Sequence, residues 1–271
     1  MTSSGPMDAP RIPVCLSIAG SDSGGGAGIQ ADIKAFARCG VHGATAITAL
    51  TAQNTVAVTR VEAVSPEMIL AQVEAVADDL GVDAVKIGML GSARTAEVVA
   101  RALDALPAGT PVVLDPVMVA ESGARLLDPD AQDALVQLIL PRATVATPNV
   151  PEARVLVGDP DGDLDGAALA RAVHAAGARA VVVTGGHRAE LVDVLFDGTE
   201  VTELPGERHP DGAAHGSGCT HSSALAAYLA LGHDLPAAAR AAGVVASEAV
   251  RDGLRGVGRG AGPVNALGLG R

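Results

Sequence analysis

Short runs rich in β-branched residues alternate along the chain with longer stretches rich in Ala and Leu. Residues 12–19 read as a first strand, followed by a glycine-rich turn over 20–28 and a helix to about Cys39. A second apolar run covers 42–48. Residues 55–64 alternate polar with apolar positions, the pattern of an edge strand. Ser65-Pro66-Glu67-Met68 predicts a helix start, with Ser as N-cap and Pro at the first helical position. The runs at 84–87, 112–114, 144–147 and 180–184 predict short strands, each followed by a turn and a helix. Repeated strand–helix alternation makes right-handed βαβ units and a mostly parallel sheet covered on both faces. Late in the chain the rhythm breaks. Asp197-Gly198 is a turn signal between 192–196 and 199–204, which predicts a hairpin. A loop rich in Gly and Pro over 205–218 then leads into two consecutive helices, 219–231 and 235–250. The Gly-rich stretch after Arg251 is expected to pack as extended chain.

Composition narrows the function classes. The chain has 271 residues and is 48% apolar, enough to bury one sizeable core. Residues 12–271 are expected to form a single domain behind a polar, Pro-rich tail at 1–11. The aromatic residues are Phe36, Phe196 and Tyr228 alone, so the core must be aliphatic. The net charge is −12, which argues against nucleic acid as a partner: there is no basic footprint and almost nothing for bases to stack on. The same charge sets a problem, because an anionic substrate would need strong local positive potential. No apolar run approaches the length of a membrane span, so no membrane partner is expected. The three cysteines, Cys15, Cys39 and Cys219, show no Cys-x-x-Cys spacing and predict neither a disulfide framework nor structural zinc. A reducing cytoplasm fits them. The only lysines are Lys34 and Lys86.

Four segments could carry chemistry. The loop Gly20-Ser21-Asp22-Ser23-Gly24-Gly25-Gly26-Ala27-Gly28 lets backbone amides approach a ligand closely. No Gly-Lys-Ser/Thr follows it, and Ile29 breaks the dinucleotide pattern. Asp32, a few residues into the next helix, is expected to face this loop. The second segment, from His215 through Gly216, Ser217, Gly218 and Cys219 to His221, opens a helix and presents free N–H groups to an anion. A cysteine there is expected to have a lowered pKa and to be reactive. The segment suits a metal site of His215, Cys219 and His221, a Cys–His hydrolase, or a cradle for phosphoryl transfer, which we favour. Third, Asp115 and Asn149-x-x-Glu152 end predicted strands, where open parallel sheets bind ligands. Carboxylates there suit Mg²⁺ carrying nucleotide phosphates. Glu152 equally fits a helix first turn. Fourth, Thr184-Gly185-Gly186-His187 ends another strand, as ligand edge or as tight turn. The Asp-rich stretch 159–165 reads as a solvated loop, since it lacks the closing Glu of a calcium loop.

Taken in order, the motifs make a specific set. They are the 20–32 glycine loop, Gln53-Asn54-Thr55, Lys86-Ile-Gly-Met89-Leu90, Leu114-Asp115-Pro-Val117-Met118, Thr147-Pro-Asn149-Val-Pro-Glu152 and His215-Gly-Ser-Gly-Cys219-Thr. Over nearly the whole chain this resembles the hydroxymethylpyrimidine/phosphomethylpyrimidine kinases of thiamine biosynthesis. These are members of the ribokinase-like superfamily. The resemblance implies a three-layer α/β/α fold and ATP-dependent phosphorylation of 4-amino-5-hydroxymethyl-2-methylpyrimidine, then of its monophosphate. It implies ATP and Mg²⁺ as cofactors, and a cytoplasmic homodimer. Gly20, Asp32, Gln53, Met89 and Val117 would surround the pyrimidine, and Gly216, Gly218 and Cys219 would form the catalytic anion hole. Asn149, Glu152, Thr184, Gly186 and Ser217 would serve the nucleotide, with Asp115 and Glu152 toward the metal. Two positions depart from the family's pattern: Thr184 stands where Lys is common, and Ala214 where Thr is common. A pyridoxal kinase of the same fold and a non-catalytic pyrimidine-binding protein are the alternatives.

Overall fold

The computed structural model describes residues 11–120, 123, 126–185 and 192–270. Its strands are β1 (Val14–Asp22), β2 (His42–Gln53), β3 (Val58–Ala63), β4 (Ala84–Ile87), β5 (Val112–Leu114), β6 (Val145–Ala146), β7 (Val181–Val183), β8 (Val192–Phe196) and β9 (Val201–Pro205). Among the described residues they form one sheet in the order β3-β2-β1-β4-β5-β6-β7-β8-β9. The strands from β2 to β7 in that order run parallel. β3 closes one edge antiparallel, and the expected β8–β9 hairpin closes the other.

The pleat explains the two outer layers. Val14, Leu16 and Ile18 point to one face of β1 and Cys15 to the other, because successive strand side chains alternate. The first face is covered by α2 (Pro66–Asp79), α3 (Ala93–Asp104), α4 (Pro129–Ala134), α5 (Val150–Leu156) and α6 (Gly166–Ala175). The second is covered by α1 (Gly28–Arg38), α7 (Ser217–Ala230) and α8 (Leu235–Arg251). The three-layer α/β/α architecture follows. The predicted cap of α2 is present: Met68 N–H donates to Ser65 Oγ at 3.3 Å, with Pro66 in the first turn.

Several boundaries differ from expectation. β1 runs on to Asp22, past a register shift between Ala19 and Ser21 that accommodates Gly20. β2 continues to Gln53, because β1 pairs with it as far as Thr51 and β3 as far as Gln53. α7 begins at Ser217, since Gly216 adopts a left-handed conformation (φ 88°) that turns the chain into the helix. The segment after Arg251 folds back through turns instead of running extended. Its Arg259 N–H donates to Thr55 Oγ1 at 3.1 Å, and its Val264 N–H to the His215 carbonyl at 3.0 Å. Arg11 is not a loose tail residue: its guanidinium meets Asp83 at 2.7 Å. The rest of the 1–11 tail lies outside the described residues.

Candidate active site

A cavity of about 1000 Å³ opens over the C-terminal ends of the parallel strands, where ligands of open α/β sheets bind. Its first wall is the glycine loop. Asp22 organises that loop from within. Its carboxylate accepts N–H groups of Gly24 (2.8 Å), Gly26 (3.0 Å) and Ala27 (2.9 Å), and meets His215 Nε2 at 3.2 Å. Burial pushes the Asp22 pKa up, but His215 and the loop amides outweigh it and hold the carboxyl below its usual range. The crowding demands glycine. A Cβ on Gly26 would strike the His215 ring, and one on Gly216 would strike the Gly26 carbonyl oxygen.

Beneath the loop lies a buried polar cluster. Lys86, fully buried in β4, donates to Asp32 at 2.9 and 3.1 Å, and lies 3.8 Å from Asp115. Ser17 and Ser223 donate to Asp32 at 2.6 and 2.8 Å. Burial opposes the Lys86 ammonium. Asp32, with Cys219 and Asp115, outweighs that and keeps its pKa above the ordinary lysine range. Asp32 therefore does not face the loop or the cavity, as had been expected of a pyrimidine contact. It is fully buried, with both oxygens taken, because a lone carboxylate at this depth requires a cation and donors. Ser222 donates to Asp115 at 2.9 Å. Burial raises the Asp115 pKa against the opposing pull of Lys86 and Ser222.

The second wall is the N-terminus of α7. Thr220 N–H is satisfied by the Gly216 carbonyl at 2.9 Å, and Ser217 N–H by Ala214 at 3.0 Å. The N–H groups of Gly218 and Cys219 find no protein acceptor among the described residues, so they remain for an anion. Gly218 has open space where a Cβ would be. Cys219 overturns the expectation of an activated thiol. Burial, aided by Asp32 and Asp115, pushes its pKa up to about 12 against the pull of Lys86 and of a Gly28 N–H. The three-residue metal option is not assembled: His215 is turned to Asp22, and no group of three metal-binding side chains occurs among the described residues.

The third wall gathers strand ends. Asn149 caps α5 by accepting the Glu152 N–H at 2.9 Å, and Glu152 returns the bond to Asn149 N–H at 3.0 Å. Thr184 bridges to Asn149, and its N–H donates to the Pro148 carbonyl at 2.9 Å. Burial and the nearby Asp115 push the Glu152 carboxyl up to about 8, although backbone N–H groups of Asn149 and Met118 oppose the shift. Glu152 thus sits in the first turn of α5, where it closes a capping box, and it also lines the cavity.

The cavity is lined by Gly20, Gln53, Met89 and Val117, and also by Asp115, Asn149, Glu152, Thr184, Gly216, Ser217, Gly218 and Cys219. Gly20 packs on Met89, whose Cε would lie 2.5 Å from a Cβ there. Gly186 lies outside the described residues. Sequence reasoning missed Asp22, although an Asp inside a glycine run is a turn-forming signal. It also missed the weight of Lys86, a cation in the middle of an apolar strand. It missed a fourth wall altogether, where the 206–210 loop faces Ala239, Gly243 and Val244 of α8. Nothing in the order of the residues brings those two stretches together.

A family model described as phosphomethylpyrimidine kinase matches residues 22–265. A hydroxymethylpyrimidine/phosphomethylpyrimidine kinase of Rhizobium meliloti is 48% identical, covering 93% of this chain and 96% of its own. Among solved structures, the chain is similar to a Bacillus subtilis pyridoxal kinase in complex with ADP. The TM-score is 0.86 at 36% identity, over 95% of this chain and 98% of that one. It is also similar to a Clostridium difficile phosphomethylpyrimidine kinase. There the TM-score is 0.77 at 37% identity, over 88% of this chain and 99% of that one.

Proposed function

The chain belongs to the phosphomethylpyrimidine kinase family, and from that premise we propose that it transfers the γ-phosphoryl group of ATP to 4-amino-5-hydroxymethyl-2-methylpyrimidine. A second transfer to the monophosphate follows, in thiamine diphosphate biosynthesis. The observation that carries this reading is one cavity lined both by Gly20, Gln53, Met89 and Val117 and by the N-terminus of α7. Gln53 can donate to and accept from the aminopyrimidine edge, while Met89 and Val117 pack on the ring. The hydroxymethyl group then points at the cradle. As phosphoryl transfer proceeds, charge on the moving group is held by the N–H groups of Gly218 and Cys219 and the positive end of α7. Cys219 meets the substrate hydroxyl as a neutral thiol and positions it. The adenine lies between the 206–210 loop and the small residues of α8, and the phosphates run past Thr184, Asn149 and Ser217.

Mg²⁺ fits this donor set. The raised carboxyls of Asp115 and Glu152 share one cavity edge, and their mutual repulsion is what a divalent cation relieves. Two carboxylates with substrate phosphates and water suffice for Mg²⁺, so no larger cage is required. When bound, it neutralises phosphate charge. We read residues 12–271 as one domain working in the cytoplasm. No described helix is long and apolar enough to cross a membrane. We also read the protein as a homodimer, as the resemblance to the family implies.

The test is ADP release with ATP and Mg²⁺, offered the hydroxymethylpyrimidine, its monophosphate or pyridoxal. Turnover of both pyrimidines well above pyridoxal is expected. A preference for pyridoxal rejects the substrate assignment, and no ADP release with any of them rejects a kinase. Cys219→Ala is expected to lower turnover with ATP affinity unchanged.

A further inference from the structure

His221 lies one turn into α7, at i+4 from Ser217, and lines the cavity. It is 4% exposed, yet neither ring nitrogen has a hydrogen-bond partner among the described residues. A helical side chain leans toward the N-terminus of its helix, so this ring covers the surface beside the first-turn amides. Two carboxylates face it. Asp193 of β8 stands 4.0 Å from Nε2, and Asp115 at the end of β5 lies within electrostatic reach. Asp193 also accepts the Gly185 N–H at 2.7 Å, which fixes this carboxylate against the backbone next to Thr184.

A buried imidazole with nothing to bind is costly unless a ligand completes it. The cavity must also hold a polyphosphate while its buried lysine, Lys86, is committed to Asp32. We propose that His221 is a nucleotide-binding residue of this site, donating a ring N–H to a phosphate oxygen of ATP while Asp193 orients the ring. This inference rests on the kinase reading above. It adds a side-chain donor to a cradle otherwise made of backbone.

The test measures binding of a non-hydrolysable ATP analogue and of adenosine by calorimetry, in wild type and His221→Leu. Loss of a hydrogen bond to a charged group predicts about tenfold weaker binding of the analogue. Adenosine and the hydroxymethylpyrimidine should bind both proteins alike. Equal affinity of the analogue for both proteins overturns the assignment. Histidine-selective NMR of the wild type needs no folded variant: the analogue should shift the His221 ring resonances and adenosine should not. Unmoved resonances also overturn the assignment. If the wild type itself neither binds the analogue nor releases ADP, the kinase reading falls, and His221 with it. If it does both while His221→Leu binds normally, only the His221 assignment falls.

Discussion

The two faces of the sheet are built on different principles. Under α2–α6 the packed core is apolar and mostly aliphatic: Leu16, Ile18, Ile69, Val85, Ile87 and Leu114 are all fully buried. Under α1 and α7 the same strands turn Ser17 and Lys86 inward, and Asp32, Ser222 and Ser223 come down from the helices to meet them. The first face needs only shape and hydrophobicity. The second must satisfy every charge it buries, and it does so directly beneath the anion cradle. A chain with net charge −12 thus keeps a cation and a helix N-terminus next to the place where phosphate is to sit. One face is held by apolar packing, the other by apolar packing together with a buried ion pair.

The sharpest way to break this contrast is Lys86→Met. It strands the Asp32 carboxylate in the interior and should destabilise the protein by about 3–5 kcal/mol. Adding Asp32→Asn should recover a large part, as read by urea unfolding. Ile69→Ala on the apolar face should cost about 2–5 kcal/mol, and no second substitution of a charged residue should rescue it. If Lys86→Met behaved like Ile69→Ala, with no rescue, the two faces would not differ in kind.

Gly216→Ala attacks the cradle itself. Its Cβ would collide with the Gly26 carbonyl oxygen, at a backbone position of positive φ. Turnover should fall roughly 10²–10³-fold, and unchanged turnover would remove α7 from the mechanism. A smaller effect comes from Glu152. Its folded pKa of about 8 lies above the ordinary value of about 4.3, so its contribution to stability is full below the ordinary value. That contribution is lost as pH rises through the folded one. Glu152→Gln, which can still close the capping box, should therefore melt above wild type at about pH 9 and converge with it at about pH 4 and below. Parallel melting curves would contradict the assigned environment. The smallest effect is expected at the cap of α2, away from the cavity. Ser65→Ala should cost about 1 kcal/mol, with kinetics unchanged.

Much of the fold could be read from the residue pattern, because most strands contain a β-branched run and several helices carry their own start signal. Ser65-Pro66 and Asn149-Val-Pro-Glu152 are examples, and both caps form as the spacing requires. The glycine loop and the 215–219 cradle were legible for the same reason: close backbone approach leaves a local mark in glycine content. Asp32 and Cys219 were misread because their state depends on neighbours far off in the chain. Lys86, 54 positions from Asp32, turns that carboxylate inward, and burial beside two acids keeps the thiol protonated.

The order of residues by itself determined the α/β class, the strand order's βαβ logic, the family, and the stretches of backbone that can hold an anion. Those properties rest on local periodicity and on small residues at fixed spacing. Only the tertiary structure decided which charges are paired, which thiol is neutral, that the 206–210 loop faces α8, and that His221 is left without a partner. Each of these depends on burial and on distance through space, and neither is set until elements far apart in the chain, such as α1 and α7, are packed together.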